Sequence, residues 1–195
     1  MKKLNREFWE NKYEQGDMGW DIGYVSPPIK DYIDQLTDKS IKILIPGAGN
    51  AYELMYLTEK GFTNTYIIDI ARPPLEAIRA KLPNFPEEKL LEGDFFDLDI
   101  GDFDLILEQT FFCALNPQLR SKYVLKMKNL LKANGKLAGL LFNFPLSKSG
   151  PPFGGSLAEY TDLFEKHFNL KLLKTAYNSI KPRAGKELFF IFEPK

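Results

Sequence analysis

Short apolar runs alternate with amphipathic stretches along most of the chain. The apolar runs cover residues 43–46, 65–68, 89–92, 103–108 and 136–142, and each predicts a buried strand. Stretches with helical spacing lie between them, at residues 51–60, 73–82 and 117–131, and each predicts a helix. Gly61 is expected to end the first of these helices and Asn134-Gly135 the last. Strict alternation of strands and helices favours a parallel sheet covered on both faces.

The pattern changes near the C-terminus. A predicted helix at residues 156–168 is followed by apolar runs at 170–177 and 187–192, with Pro182 to Gly185 between them. A parallel crossover needs a dozen residues or more, so these two strands should pair antiparallel. Together with the five earlier strands they predict a seven-stranded mixed α/β sheet with a C-terminal antiparallel hairpin. This arrangement is typical of class I, Rossmann-like methyltransferases. We expect one domain over residues 1–195.

Residues 1–40 lie outside this alternation. Residues 5–15 predict a helix that ends at Gly16, whereas residues 20–29 carry aromatic residues and prolines without a clean period. A segment of this kind rarely stabilises itself. We therefore expect an N-terminal helical and aromatic cover that folds back over the rest of the chain.

Charge and composition exclude several classes of protein. The chain has 26 basic and 26 acidic side chains and no net charge, which argues against a nucleic-acid partner. The lone Cys113 excludes an intrachain disulfide, and with the single His167 it indicates no metal site. No apolar stretch reaches the ~20 residues that span a bilayer. We expect a cytoplasmic monomer that acts on a small molecule and has no membrane partner.

A glycine turn carries the first functional signal. Gly47, Ala48 and Gly49 follow the first strand, and Asp69 ends the second, as in nucleoside-binding folds in which an acidic side chain contacts a ribose. Tyr52 stands where a dinucleotide fingerprint has its third glycine, which disfavours a pyrophosphate and favours S-adenosylmethionine. Two alternatives remain: Asp69 caps the following helix, or the chain is a nicotinamide-dependent oxidoreductase.

Two further groups of residues follow strand ends at the same edge of the sheet. Asp94 and Phe95 could bind an adenine amino group and ring face, or could be a turn aspartate and a core phenylalanine. Gln109, Phe111 and Phe112 follow the fourth strand, in the region where a methyl acceptor is expected. The phenylalanines could equally be core residues, whereas a buried amide needs partners.

Aromatic side chains of the leader and one loop complete the candidates. Trp9 and Tyr13 share a helix face, and with Trp20 they could surround a sulfonium cation or simply fasten the leader to the core. The loop at residues 147–155 places Pro151-Pro152 between glycines, and it could be a lid or a plain surface connection.

These motifs together resemble the thiopurine S-methyltransferase superfamily, and its thiol, halide and thiocyanate methyltransferase branch most closely. The resemblance covers nearly the whole chain and rests on five separated motifs, at residues 8–13, 19–28, 45–49, 93–96 and 111–115, and on 150–153. It implies a class I fold that uses S-adenosylmethionine. Two positions depart from the family: Tyr13 replaces a common tryptophan, and Gln109 replaces the tyrosine or arginine of the two main branches.

The resemblance implies a role for each candidate residue. The cofactor-binding set is Trp9, Tyr13, Trp20, Gly47, Ala48, Gly49, Asp69, Ile70, Asp94, Phe95, Glu108 and Gln109. The acceptor side is formed by Gln109, Phe111 and Phe112. We predict in-line displacement by a small soft nucleophile, a thiol, hydrosulfide, thiocyanate or halide, which needs no general base. A non-catalytic module that only binds S-adenosylmethionine is the remaining alternative.

Overall fold

A seven-stranded sheet forms the centre of the molecule in a computed structural model that describes residues 3–147 and 149–195. Its spatial order is β3-β2-β1-β4-β5-β7-β6. The strands are β1 Ile43–Pro46, β2 Thr65–Asp69, β3 Leu90–Glu92, β4 Phe103–Gln109, β5 Leu131–Phe142, β6 Phe168–Thr175 and β7 Glu187–Pro194. Strands β1 to β5 pair parallel, and β7 pairs antiparallel with both β5 and β6, which confirms the predicted mixed sheet and terminal hairpin.

Helices cover both faces of the sheet. They are α1 Arg6–Glu14, α2 Pro27–Asp34, α3 Tyr52–Glu59, α4 Arg72–Lys81, α5 Arg120–Leu130 and α6 Leu157–Phe164. Short 3-10 helices occupy Glu87–Lys89, Phe95–Asp97, Phe112–Ala114, Pro117–Leu119 and Lys181–Arg183. Helices α5 and α6 pack into one hydrophobic core, and α2, α3 and α4 pack into the other. Each of these helices thus buries its apolar side against the strands, which the periodicity predicts for α3, α4, α5 and α6.

Local signals explain several helix boundaries. The Asn5 side chain accepts a hydrogen bond from the Phe8 amide at 3.3 Å and caps α1. Ser156 caps α6 in the same way, through the Glu159 amide at 3.3 Å. Gly61, with φ of 85°, follows the end of α3, as expected of a residue that ends a helix.

Two predicted elements differ from the structure. Helix α5 ends at Leu130, and β5 begins at once with Leu131 opposite Phe103. The register then shifts so that Lys136 lies opposite Leu105; Asn134 and Gly135 therefore sit in a bulge rather than at a helix end. Helix α6 is also shorter than predicted, because β6 already begins at Phe168.

Helix α2 is absent from the sequence-based prediction. Pro27 and Pro28 occupy its first turn, where proline is tolerated, and Ile29 and Ile33 are fully buried. The helix has only eight residues and directly follows an aperiodic segment. Its helical spacing is therefore too short to be recognised in the sequence. Its burial shows that the second half of the leader belongs to the core, whereas α1 lies over α4 with no fully buried residue among its own.

Candidate active site

A cavity of about 390 Å³ opens at the carboxyl ends of the parallel strands. This is the edge where α/β folds bind ligands. The loops that leave neighbouring strands there lead to opposite faces of the sheet, and a crevice is left between them. The walls come from four places: the loops after β1, β2, β3 and β4, the leader, the end of β5 with the loop that follows it, and the turn before β7. Among the residues predicted from sequence, those that line it are Trp9, Tyr13, Trp20, Gly47, Ala48, Gly49, Asp69, Ile70, Asp94, Phe95, Gln109 and Phe111.

Asp69 joins the end of β2 to the glycine turn. One carboxylate oxygen accepts a hydrogen bond from the Ala48 amide at 2.7 Å, and the other accepts from the Ala71 amide at 2.8 Å. Burial raises the pKa of Asp69, and these backbone hydrogen bonds oppose the rise. The carboxylate therefore supports the chain before α4 and also lines the cavity. Each of its oxygens has a second lone pair that could accept from a ligand hydroxyl group.

The glycine turn leaves room that a side chain would fill. Gly47 has φ of 80°, in the left-handed region, and a Cβ atom placed there would lie 3.0 Å from Cδ2 of Phe111. A Cβ atom at Gly49 would lie 3.8 Å from the indole nitrogen of Trp20. The turn is thus the narrow floor of the cavity, between Phe111 and the leader, where a ligand can approach the backbone closely.

Asp94 and Phe95 fit both interpretations of their sequence. Asp94 accepts a hydrogen bond from the Phe96 amide at 2.8 Å, so it is a turn aspartate that also lines the cavity. Phe95 is 4% exposed, and its ring meets Phe111 edge to face at a centroid distance of 5.2 Å. Its ring lies at the boundary between the core and the cavity.

The leader places its three aromatic rings together at the cavity. Trp20 meets Trp9 at a centroid distance of 5.8 Å and Tyr13 at 5.5 Å, both edge to face. Burial, and then the charge of Asp69, raise the pKa of the Tyr13 hydroxyl. Asp21 accepts a hydrogen bond from the Asn50 side chain at 2.6 Å, which ties the segment after Trp20 to the glycine turn.

Glu108 lies behind the cavity wall rather than in it. It is fully buried, and its oxygens accept hydrogen bonds from the amides of Phe111 and Phe112 and from the hydroxyl group of Tyr123. Burial raises its pKa to about 7. The structure therefore gives Glu108 a structural position behind the wall and removes it from the residues that line the cavity, where the cofactor-binding set had included it as a structural or cofactor-orienting residue.

The two phenylalanines after β4 point to different sides of the wall. Phe111 lines the cavity, whereas Phe112 is 1% exposed and packs against Tyr123 in the core. The acceptor-side assignment of Phe112 is thus corrected to a core position. Between β4 and these rings, Thr110 adopts φ of 59°, and Gln109 holds a buried side-chain oxygen without a partner among residues 3–147 and 149–195.

The loop at residues 147–155 is anchored at its second half. The amide of Phe153 donates to the Cys113 carbonyl at 2.7 Å, and Arg120 donates to the Gly154 carbonyl at 2.6 Å. Gly155 is so close to Tyr160 that an added Cβ atom would lie 2.4 Å from its hydroxyl oxygen. Pro151 and Pro152 line the cavity from this fixed base; Lys148 of the predicted loop lies outside the described residues.

Arg183 is a cavity residue that sequence reasoning missed. It donates to the Trp20 carbonyl at 2.8 Å and lies 3.4 Å from a carboxylate oxygen of the buried Glu187. Its position in the turn before β7 gave no local signal, because only the return of β7 beside β5 brings it to the cavity. Apolar lining residues outside the predicted site set include Leu115, Leu119 and Phe142.

Cys113 also lines the cavity, but its thiol has little tendency to ionise. Burial raises the pKa of its thiol, and the nearby charge of Glu108 raises it further. The thiol donates to the Thr110 carbonyl at 3.3 Å. Within the described part of the chain, no cluster of three acidic, histidine or cysteine side chains could hold a metal ion, and no helix is long and apolar enough to cross a membrane.

Comparisons with solved structures identify the fold class. A crystal structure of a Burkholderia thailandensis 1,6-didemethyltoxoflavin-N1-methyltransferase, with bound 1,6-didemethyltoxoflavin and S-adenosylhomocysteine, has a TM-score of 0.78 at 18% identity. It covers 97% of this chain and 86% of that chain. A TehB-like S-adenosylmethionine-dependent methyltransferase from Corynebacterium glutamicum has a TM-score of 0.67 at 18% identity, over 97% and 95% of the two chains. The fold is that of the class I S-adenosylmethionine-dependent methyltransferases.

Sequence comparison then gives the family. The thiopurine S-methyltransferase family model matches residues 4–192. A probable thiol methyltransferase 2 from Arabidopsis thaliana is 31% identical over 78% of this chain and 69% of the relative. Thiocyanate methyltransferase 1 from Brassica oleracea is 27% identical over 92% of this chain and 81% of the relative.

The chain belongs to the thiopurine S-methyltransferase family. It is an S-adenosylmethionine-dependent methyltransferase, and the predicted family, fold, enzyme class and cofactor are confirmed. The nicotinamide-dependent oxidoreductase considered from the sequence is therefore rejected.

Proposed function

We propose that this protein methylates a small soft nucleophile, a thiol, hydrosulfide, thiocyanate or halide. The observation that carries the proposal is the division of the cavity. Asp69 and Asp94, the polar groups for a nucleoside, follow β2 and β3 on one side of β1 in the sheet. The apolar residues Leu115, Leu119 and Phe142 follow or end β4 and β5 on the other side, where Gln109 and Arg183 are polar neighbours. The names of the thiol and thiocyanate methyltransferase relatives support the same acceptor class.

On the cofactor side, we assign one role to each polar contact. The Asp69 carboxylate accepts hydrogen bonds from the ribose hydroxyl groups, with Ile70 beside it, and Asp94 accepts from the adenine amino group, with Phe95 against the ring. The backbone of Gly47, Ala48 and Gly49 receives the methionine part. Asp69 is held by two backbone amides, so it offers its free lone pairs in a fixed direction.

The aromatic rings of the leader stabilise the positive charge of the sulfonium group. The rings of Trp9 and Tyr13 lie 5.8 Å and 5.5 Å from that of Trp20, and all three line the cavity. A cation near an aromatic face gains on the order of 0.5–2 kcal/mol when water is excluded. The same rings cover the cavity and so exclude water.

S-adenosylmethionine supplies an electrophilic methyl group on a positively charged sulfur. With S-adenosylmethionine bound, attack by the acceptor's lone pair on the methyl carbon would break the old carbon–sulfur bond and leave its electron pair on the sulfur of S-adenosylhomocysteine. A neutral thiol would release its proton to water. A soft anion or an easily ionised thiol needs no base at this step. Neither Cys113 nor Tyr13 is available as a base near neutral pH, because both are protonated there at their ordinary pKa values and burial raises those values further.

Gln109 and Phe111 form the boundary between the two sides of the cavity. The buried, unpartnered oxygen of Gln109 is the kind of polar atom that a ligand satisfies, since leaving it unpaired costs about 1–3 kcal/mol. We assign Gln109 to the reacting centre and Phe111 to the wall behind it. Phe112 and Glu108 are left out of this set because neither lines the cavity.

The experiment is a turnover assay with the purified full chain, S-adenosylmethionine and a panel of acceptors: hydrosulfide, thionitrobenzoate, thiocyanate and iodide. Formation of S-adenosylhomocysteine and of methylated product is measured for each, with an amine and a phenol as controls. We expect turnover with members of the panel and little with the controls. Tight cofactor binding without turnover of any acceptor would favour a non-catalytic module.

We also propose that the enzyme is a monomer in the cytoplasm; its single cysteine suits a reducing compartment. Light scattering after size exclusion would measure the mass against 22.4 kDa for one chain. Cell fractionation would test the location. A dimer mass, or recovery in another fraction, would contradict the corresponding part.

A further inference from the structure

A buried carboxylate lies directly behind the wall of the cavity. Glu108 and Tyr123 are both fully buried, and neither lines the cavity. One oxygen of Glu108 accepts from the Phe111 amide at 2.8 Å and the Phe112 amide at 2.9 Å, and the other accepts from the Tyr123 hydroxyl group at 2.6 Å. None of these three donors is a cation, so the carboxylate has no ion-pair partner among them.

These hydrogen bonds hold a turn that would not form easily by itself. Thr110 has φ of 59°, which is unfavourable for a β-branched residue, and the turn sends Phe111 toward the cavity but Phe112 into the core. Phe111 in turn limits the space over Gly47, where an added Cβ atom would lie 3.0 Å from its ring. The carboxylate thus determines the shape of the wall without touching the cavity.

We propose that Glu108 and Tyr123 are a positioning pair for methyl transfer, which keeps Gln109, Thr110 and Phe111 in the arrangement that aligns the acceptor. This inference rests on the proposed function of the cavity. The role differs from core packing, because a polar pair with three directed hydrogen bonds sets the geometry of the turn, whereas apolar side chains of similar volume would only fill the space.

The charge of Glu108 contributes to this role. Hydrogen bonds to an ionised acceptor are about twice as strong as neutral ones, and a protonated carboxyl group carries a donor of its own toward one of its present partners. The titratable and charged groups packed around it are Tyr123 from α5, Cys113 from the 3-10 helix after β4 and Tyr160 from α6, with Arg120 beyond the Phe112 ring. Since burial raises the pKa of Glu108 to about 7, its hydrogen bonds to the turn are strongest above neutral pH, although the buried charge itself lowers the stability of the fold there.

The test compares the pair with a matched control. Glu108→Gln and Tyr123→Phe each alter the buried pair with little change in volume. Tyr56→Phe removes another tyrosine–carboxylate hydrogen bond, 2.6 Å long, from Tyr56 to Asp34 on the outside of α3 and away from the cavity. All are assayed with an acceptor that stays ionised throughout the pH series, such as thionitrobenzoate or iodide.

We expect Tyr123→Phe to lower kcat about tenfold with little change in the Kd of S-adenosylhomocysteine, since misalignment costs rate more than binding. Tyr56→Phe should keep the wild-type kcat. Wild-type kcat should fall as the pH drops through about 7, the pKa of Glu108, and Glu108→Gln should show a flat profile at the wild-type acid level. Wild-type kcat and pH profile in both pair variants would overturn the proposal.

A second measurement keeps this inference separate from the proposed function. If wild-type protein binds S-adenosylhomocysteine but turns over no acceptor, the proposed function fails, and hydrogen exchange then decides the pair. Faster exchange of the Phe111 and Phe112 amides in Tyr123→Phe, but not in Tyr56→Phe, would support the positioning role. Unchanged exchange would overturn it.

Discussion

Replacement of Asp69 by asparagine gives the sharpest test of the cofactor site. The substitution keeps the shape of the side chain but replaces one oxygen by an NH₂ group and removes the charge. In the wild type both oxygens accept from backbone amides, of Ala48 and Ala71. The asparagine side chain of the variant could satisfy only one of these amides and would present a donor to the other.

The size of the effect follows from these contacts. A buried amide left without an acceptor costs about 1–3 kcal/mol of stability. A hydrogen bond from a ribose hydroxyl group to an ionised acceptor contributes about 1.5–3 kcal/mol to binding. Since ~1.4 kcal/mol is a factor of ten in Kd, Asp69→Asn should weaken binding of S-adenosylhomocysteine by about tenfold or more.

Asp104→Asn is the matched control. Asp104 also accepts from two donors, the Lys42 amide at 2.8 Å and the Lys132 ammonium group at 2.7 Å, but it lies at the start of β4, at the opposite edge of the sheet. The control should lose comparable stability in thermal unfolding and keep wild-type affinity in calorimetry. A folded Asp69→Asn protein with wild-type Kd would refute the assignment and leave Asp69 as a backbone cap alone.

Three further predictions concern the leader, the acceptor and the fold. Trp20→Ala should weaken S-adenosylmethionine more than uncharged S-adenosylhomocysteine, by roughly threefold or more, because only the former carries the sulfonium charge; equal losses in calorimetry would contradict a cation–π role. Gln109→Tyr should change the ranking of acceptors in kcat/KM and leave the Kd of S-adenosylhomocysteine nearly intact; the reverse pattern would move Gln109 to the cofactor. Burial raises the pKa of Glu108 from 4.5 to about 7, so the folded protein binds the carboxyl proton more tightly than the unfolded chain does. The contribution of Glu108 to the free energy of unfolding should therefore fall as the pH rises between those two values. Urea unfolding across that window should show a weaker decline in Glu108→Gln, and equal slopes would refute the shift.

The side of the cavity formed by the glycine turn and Asp69 could be predicted from the sequence because its signals are local. An apolar run that ends in Gly47-Ala48-Gly49 predicts both a strand and the turn after it, and Asp69 ends the neighbouring strand. Parallel strands bring their carboxyl ends to one edge, so the prediction of each strand also placed the residue that follows it. The terminal hairpin was predictable for a similar reason, since its short connection allows only antiparallel pairing.

The acceptor side could not be predicted in the same way. Phe111 and Phe112 are adjacent and chemically alike, yet the left-handed Thr110 and the hydrogen bonds of Glu108 send one to the cavity and the other to the core. Arg183 reaches the cavity only because β7 returns antiparallel beside β5.

The sequence by itself therefore determined the family, most of the succession of strands and helices along the chain, and the glycine turn after β1. These depend on periodicity and on residues close together along the chain. The tertiary structure alone decided which side chains after β4 face the cavity, that Glu108 stands behind its wall, and that Arg183 joins it. Such choices depend on hydrogen bonds and packing between residues far apart in sequence, such as Glu108 with Tyr123 and Arg183 with Trp20.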